Sequence, residues 1–95
     1  MNAWFERLRA ALAAEIGEGP EVLELTREDA QALLDLARDA AHGSGARQYA
    51  PLATYLAGRL IEARSVGNDQ AARTALIAAL ARAAEAAGPA GGDAI

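Results

Sequence analysis

Apolar and polar positions follow a helical period along most of this chain, and the periodic stretches are separated by Gly, Pro, Ser and Asn. In the first stretch, about Asn2 to Ile16, Trp4, Leu8, Leu12 and Ile16 recur at i, i+4 spacing beside Phe5, while Glu6, Arg7 and Ala10 lie off that line. This predicts an amphipathic helix with the Trp4-to-Ile16 line buried. Gly17-Glu18-Gly19-Pro20 stops it, because Gly accepts a left-handed cap and Pro resists continuation. Val22, Leu23 and Leu25 in the following connector are expected to tuck against the helices. Thr26 can cap a second helix, with Glu28 and Asp29 in its first turn facing the positive end of the dipole. Its expected buried stripe is Ala30, Leu33, Leu34, Ala37 and Ala41, widened by Leu36 and Ala40, and its expected end is His42-Gly43 with Gly43 as the C-terminal cap.

The segment 43–50, rich in Gly and Ser, reads as a loop. Pro51 suits the first turn of a third helix, which runs to about Ser65. Leu52, Leu56, Leu60 and Ala63 share one side of it, flanked by Tyr55, and Ala57, Gly58 and Ile61 lie toward the other. Such a helix, apolar over more than half its circumference, either sits centrally or offers its second side to a partner. Gly58 in its interior implies close backbone approach, since Gly costs about 0.5–1 kcal/mol relative to Ala in a helix. Arg59 can lay its stem over the edge of the core. Val66-Gly67-Asn68-Asp69 breaks the chain and caps a fourth helix, about Asp69 to Ala87, with Ala72, Leu76, Ala79, Leu80 and Ala83 inward. The fold expected is all-α: a four-helix up-down bundle over residues 1–88, joined by short loops, with a frayed tail over 89–95.

Composition narrows the chemistry. The chain has 95 residues, enough for one domain with a modest core. All nine basic residues are Arg, and with no Lys there is neither a Schiff-base amine nor a P-loop lysine. No Cys means no disulfide, thiolate metal site or cysteine nucleophile. Net charge is −4 with acids and arginines interleaved, and the basic patch of a nucleic-acid binder is missing. The first residues lack a signal peptide's basic start and apolar run, no segment reaches membrane-spanning length, and cytoplasm is the default expectation.

Two polar groupings remain. Asp35, Asp39 and His42 fall within about 60° of one another on the second helix, opposite Leu33, Leu34 and Ala37. Two carboxylates and an imidazole can bind a divalent metal or form an acid–base pair, but such a helix side is more often only solvated, with Asp35 paired to Arg38. Ser44, Arg47 and the N–H groups opening the third helix can hold a phosphate or carboxylate, although the segment is no phosphate-binding fingerprint. With one His, no Lys and no Cys, no nucleophile–base–orienter set can be assembled, and the chain is not expected to be an enzyme or to carry a resident cofactor or metal.

The run Leu33-Leu34-Asp35-Leu36-Ala37-Arg38-Asp39-Ala40-Ala41-His42-Gly43, followed by Arg47 and by Ala50-Pro51-Leu52-Ala53-Thr54-Tyr55-Leu56-Ala57-Gly58, resembles a small all-helical family of unknown function from high-GC bacteria. Its members stand alone or are attached to the transferase that makes molybdopterin guanine dinucleotide. The resemblance spans roughly the first three helices and includes the positions of His42, Gly43, Pro51 and Gly58; the loop Ser44–Tyr49 departs in detail. It implies a role in molybdenum-cofactor maturation. The leading expectation is thus a non-catalytic accessory module that binds this transferase, or a molybdoenzyme, through the third helix and the loop before it, with Tyr49, Ala57, Gly58 and Ile61 as the interface. The alternatives are an anion- or metal-binding protein using Asp35, Asp39, His42, Ser44 and Arg47, and a homodimer built on the third or fourth helix.

Overall fold

The computed structural model describes residues 2–19 and 25–92. They form four helices and no strand: α1 Ala3–Ile16, α2 Arg27–Ser44, α3 Tyr49–Ala63 and α4 Gln70–Ala87. The all-α expectation is met, with α2, α3 and α4 packed on one another as a bundle. The expectations for Val22, Leu23 and the last three residues lie outside the described residues.

Local chemistry sets the helix ends. The Asn2 side chain accepts a hydrogen bond from the Phe5 N–H at 2.9 Å, and Gly17, at φ 74°, closes α1 in the left-handed conformation. Thr26 and Asp29 form a reciprocal capping box on α2. α2 runs further than its sequence suggests: Gly45 at φ 78° is the left-handed cap, its N–H donating to the Ala41 carbonyl. Gly43 therefore lies inside the helix. α3 begins two residues before Pro51, which still falls among the first four residues, whose N–H groups have no helical acceptor. Asp69 caps α4 by accepting from the Ala72 N–H at 3.0 Å.

Interactions at both ends fix how α2 and α4 lie. Thr26 and Asp29 at the start of α2 bond to Gln70 and Arg73 at the start of α4. Near the other end, a Cβ placed on Gly43 would lie 3.6 Å from the Ala84 carbonyl oxygen. The two helices are thus parallel and close, and α3 returns antiparallel between their opposite ends. α3 packs more extensively on α2 than on α4, so the α3–α4 seam opens outward. The core takes one fully buried side chain from each helix of this trio, Leu36, Ala57 and Ile77, ringed by Ala32, Leu33, Ala53, Ile61, Leu80 and Ala81.

This core differs from the expected stripes in rotation about the helix axes. In α2, Leu36 is central while Leu34 is 67% exposed. In α4, Ile77 is central although it lies outside the stripe expected from the sequence. In α3 the sides are exchanged: Ala53, Ala57 and Ile61 face the core, and Leu52, Tyr55 and Leu56 are exposed. Alanine explains each case. It fills so many positions that the apolar period fits more than one phase, and it lets helices approach closely, so the side with Ala53 and Ala57 packs best. Two expected interface residues, Ala57 and Ile61, are therefore core residues. Arg59 does not cover the core; it is exposed, its guanidinium 5.9 Å from the centre of the Tyr55 ring.

Gly58 is also corrected. A Cβ there would meet nothing within 4 Å, so no close approach requires glycine. Gly58→Ala is expected to raise stability by about 0.5–1 kcal/mol in chemical denaturation, through helix propensity. A loss of stability would mean that a neighbour crowds this position after all.

α1 stands apart. Its backbone keeps a separation of more than 8 Å, Cα to Cα, from the backbones of α2, α3 and α4. The radius of gyration, 14.5 Å, exceeds the roughly 12 Å of a compact chain of this length. No helix among the described residues is long and apolar enough to cross a membrane.

Candidate functional site

The outward-opening seam between α3 and α4 forms an apolar groove of about 510 Å³. Leu52 and Leu56 of α3 make one wall, Leu80, Ala83, Ala84 and Ala87 of α4 the other, with Ala40 and Ser44 of α2 also lining it. The chain beyond α4 closes one end: the Ala90 N–H donates to the Ser44 carbonyl at 2.9 Å, placing Pro89 and Ala90 beside Tyr49. Tyr49 is the expected interface residue that does line the groove. On the outward shoulder of α3, Tyr55, Gly58, Arg59 and Glu62 frame a shallow depression.

A second apolar surface lies on α1. Trp4, Leu8, Leu12 and Ile16, expected to be buried, are 61, 45, 43 and 53% exposed. The covered side of α1 is the adjacent line, where Ala13 is buried and Phe5 and Arg9 are partly so. The helix and its amphipathic period are as the sequence predicts, but the richest apolar line forms an outward ridge.

The expected polar grouping on α2 is largely self-neutralised. The Asp35 carboxylate accepts from Gln31 Nε2 at 2.9 Å and pairs with Arg38 Nη1 at 3.4 Å. Asp39 pairs with Arg38 Nε at 3.5 Å, and His42 is exposed. Among the described residues no group of three or more His, Cys, Asp or Glu side chains is arranged to hold a metal ion. The α2–α3 loop uses its own donors. The Ser44 hydroxyl accepts from the Ala46 N–H at 3.1 Å and lies within donating distance of the Ala46 and Ala41 carbonyls. The Tyr49 and Ala50 N–H groups donate to the Ala46 and Arg47 carbonyls, so the amides expected to receive an anion are occupied. Arg47 is exposed at the loop surface. Of these five residues only Ser44 lines the α3–α4 groove.

A buried polar cluster at the opposite end was not foreseen. Asp29 is only 5% exposed. Its Oδ1 accepts from Arg73 Nε at 3.0 Å and Gln70 Nε2 at 2.9 Å, and its Oδ2 from the Thr26 N–H at 3.3 Å. Gln70 Oε1 accepts from the Thr26 hydroxyl at 2.6 Å and Arg73 Nη2 at 2.8 Å, while Arg73 Nη1 holds the Gly67 carbonyl at 2.7 Å. Burial alone raises the Asp29 pKa, but the hydrogen bonds from Arg73, Gln70 and Thr26 outweigh it and leave the carboxyl below its ordinary value. No buried polar side-chain atom among the described residues lacks a partner, so the cluster is a closed structural clamp with nothing free to meet a ligand. Thr26 and Asp29 were legible as a cap; the reach of Asp29 across 44 residues to Arg73 was not.

No curated protein and no solved structure matches the chain. The family model of the domain of unknown function DUF6457 matches residues 1–92, nearly the whole chain, and the protein belongs to that family.

Proposed function

We propose that the chain is a non-catalytic helical interaction module in molybdenum-cofactor maturation, one that docks on the transferase making molybdopterin guanine dinucleotide or on a molybdoenzyme. The observation that carries the interaction reading is the amount of apolar surface left uncovered: the α1 ridge, the α3–α4 groove and the Tyr55 shoulder in a chain of 95 residues. Contiguous exposed apolar surface on a small domain marks a place where another molecule sits. Tyr55, 63% exposed with Arg59 against its ring, has the aromatic and guanidinium chemistry that anchors protein interfaces. The polar inventory supports the non-catalytic reading: a single His, α2 carboxylates paired with Arg38, and a Ser44 hydroxyl engaged by its own loop. The pathway rests on the resemblance of the α2–loop–α3 segment.

Calorimetric titration of the purified chain against the purified transferase, and separately against a molybdoenzyme, tests this reading. Saturable binding is expected to one of them, weakened about tenfold by Tyr55→Ala. Absence of heat with both proteins at about 100 µM would remove the proposed role.

A further inference from the structure

We propose that residues 88–90 form a hinged strap that holds the Tyr49 end of the α3–α4 groove shut and swings aside about Gly88 to open the groove along its full length. The inference rests on the reading that this groove belongs to the docking surface, and it names how access to that surface is controlled.

One residue's backbone folds the strap back. Gly88 ends α4 at φ 70° and ψ −165°. That region of backbone space is open essentially only to glycine. A Cβ built on Gly88 would meet nothing within 4 Å, so no neighbour demands glycine there; the backbone conformation does. Pro89 follows, and its fixed φ and missing N–H stop the helix from running on. The two residues turn the chain off the axis of α4 and across to the end of α2.

A single latch holds it there. α2 ends at Ser44, so the helix itself supplies no donor to the Ser44 carbonyl. The Ala90 N–H fills that carbonyl at 2.9 Å. Apolar contact adds little, because Pro89 is exposed and Ala90 only half-buried. One backbone hydrogen bond near the surface is a weak tie, and segments tied this way open far more readily than a helix interior.

The strap covers one end of the groove and leaves the other open. α3 and α4 run antiparallel, so Tyr49 lies near Ala87 and Leu56 near Leu80. Pro89 and Ala90 sit at the Tyr49 end. An apolar molecule that fills the whole groove must first displace them, and its apparent affinity is reduced by the fraction of chains in which the strap is closed.

The test uses the full chain, the neutral dye Nile red and no transferase. Gly88→Ala disfavours the hinge conformation, and Ala90→Pro removes the latch donor. Each is expected to bind the dye at least fivefold more tightly than wild type, with helix content unchanged by circular dichroism. Adding Leu56→Asp to Gly88→Ala should abolish the gain, which places the dye in the groove. In wild type the Ala90 amide should exchange several-fold more slowly than in an unfolded chain, and Gly88→Ala should remove that protection. Dye binding equal to wild type in both variants overturns the proposal. Weaker binding does so too, because Pro89 and Ala90 are then a fixed wall that helps hold the ligand. A gain that survives Leu56→Asp, or a wild-type Ala90 amide without protection, has the same consequence. Failure of the transferase titration beside a positive dye result would end the docking role and leave the strap standing.

Discussion

Leu36→Ala is expected to remove about 3–4 kcal/mol of stability, whereas Leu34→Ala, two residues away, is expected to change it by less than about 0.5 kcal/mol. Leu36 is completely buried, at the centre of a core shared with Ala57 and Ile77, and truncation leaves a cavity in a layer of alanines that cannot move in to fill it. Leu34 is mostly exposed, so its truncation gives up little buried surface. A chain of this length has a total stability on the order of 5–14 kcal/mol, so the first substitution removes a large part of it and should lower Tm by more than about 10 °C. Urea denaturation of both variants reads the rotation of α2 directly. Equal losses would mean that the helix faces the core with a different side.

The second large effect is expected at Asp29. Asp29→Ala strands the Arg73 guanidinium, whose side chain is only 16% exposed, and breaks the link between the starts of α2 and α4. Removing one partner of such a pair costs about 3 kcal/mol. Asp29→Asn, which keeps the shape without the charge, should recover part of the loss. Acidity acts through the same group. Because the folded-state pKa of Asp29 lies below its unfolded value, the native state binds fewer protons between those two values. The carboxylate's stabilisation is fully present above the unfolded value, near pH 4, and is lost as pH falls through the lower folded value. Denaturation midpoints measured from pH 6 down to pH 2.5 should therefore fall more steeply for wild type than for Asp29→Asn. Parallel curves would show that the pair contributes no net charge-dependent stability.

These two sites show where the sequence was sufficient and where it was not. Thr26 and Asp29 declare a helix start because a capping box is a local device, complete within four residues. The role of Asp29 as a buried anchor depends on Gln70 and Arg73, residues of another helix that no local spacing identifies. The candidate groupings on α2 and in the α2–α3 loop were legible as residue types. Their pairings, Asp35 and Asp39 with Arg38 and Ser44 with its own loop, depend on geometry. The sequence points to Tyr49 as an interface residue, and Tyr49 lines the groove. The spacing of leucines in α3, however, suggests Leu52 and Leu56 as its inner side with Tyr55 beside them, and Ala57 and Ile61 as its outer side, the reverse of what packing selects.

By itself the sequence determined that this protein is a set of four helices, and where most of them stop. Helix propensity, capping side chains and Gly or Pro breaks act over a few residues and need no partner. Only the tertiary structure decided which side of each helix is inside. In alanine-rich helices several rotations bury similar apolar area, and the choice falls to close packing between neighbours. That choice turned Leu36, Ala57 and Ile77 inward and left Leu52 and Leu56 lining an open groove, with the Trp4 ridge outward on a helix that stands clear of the other three.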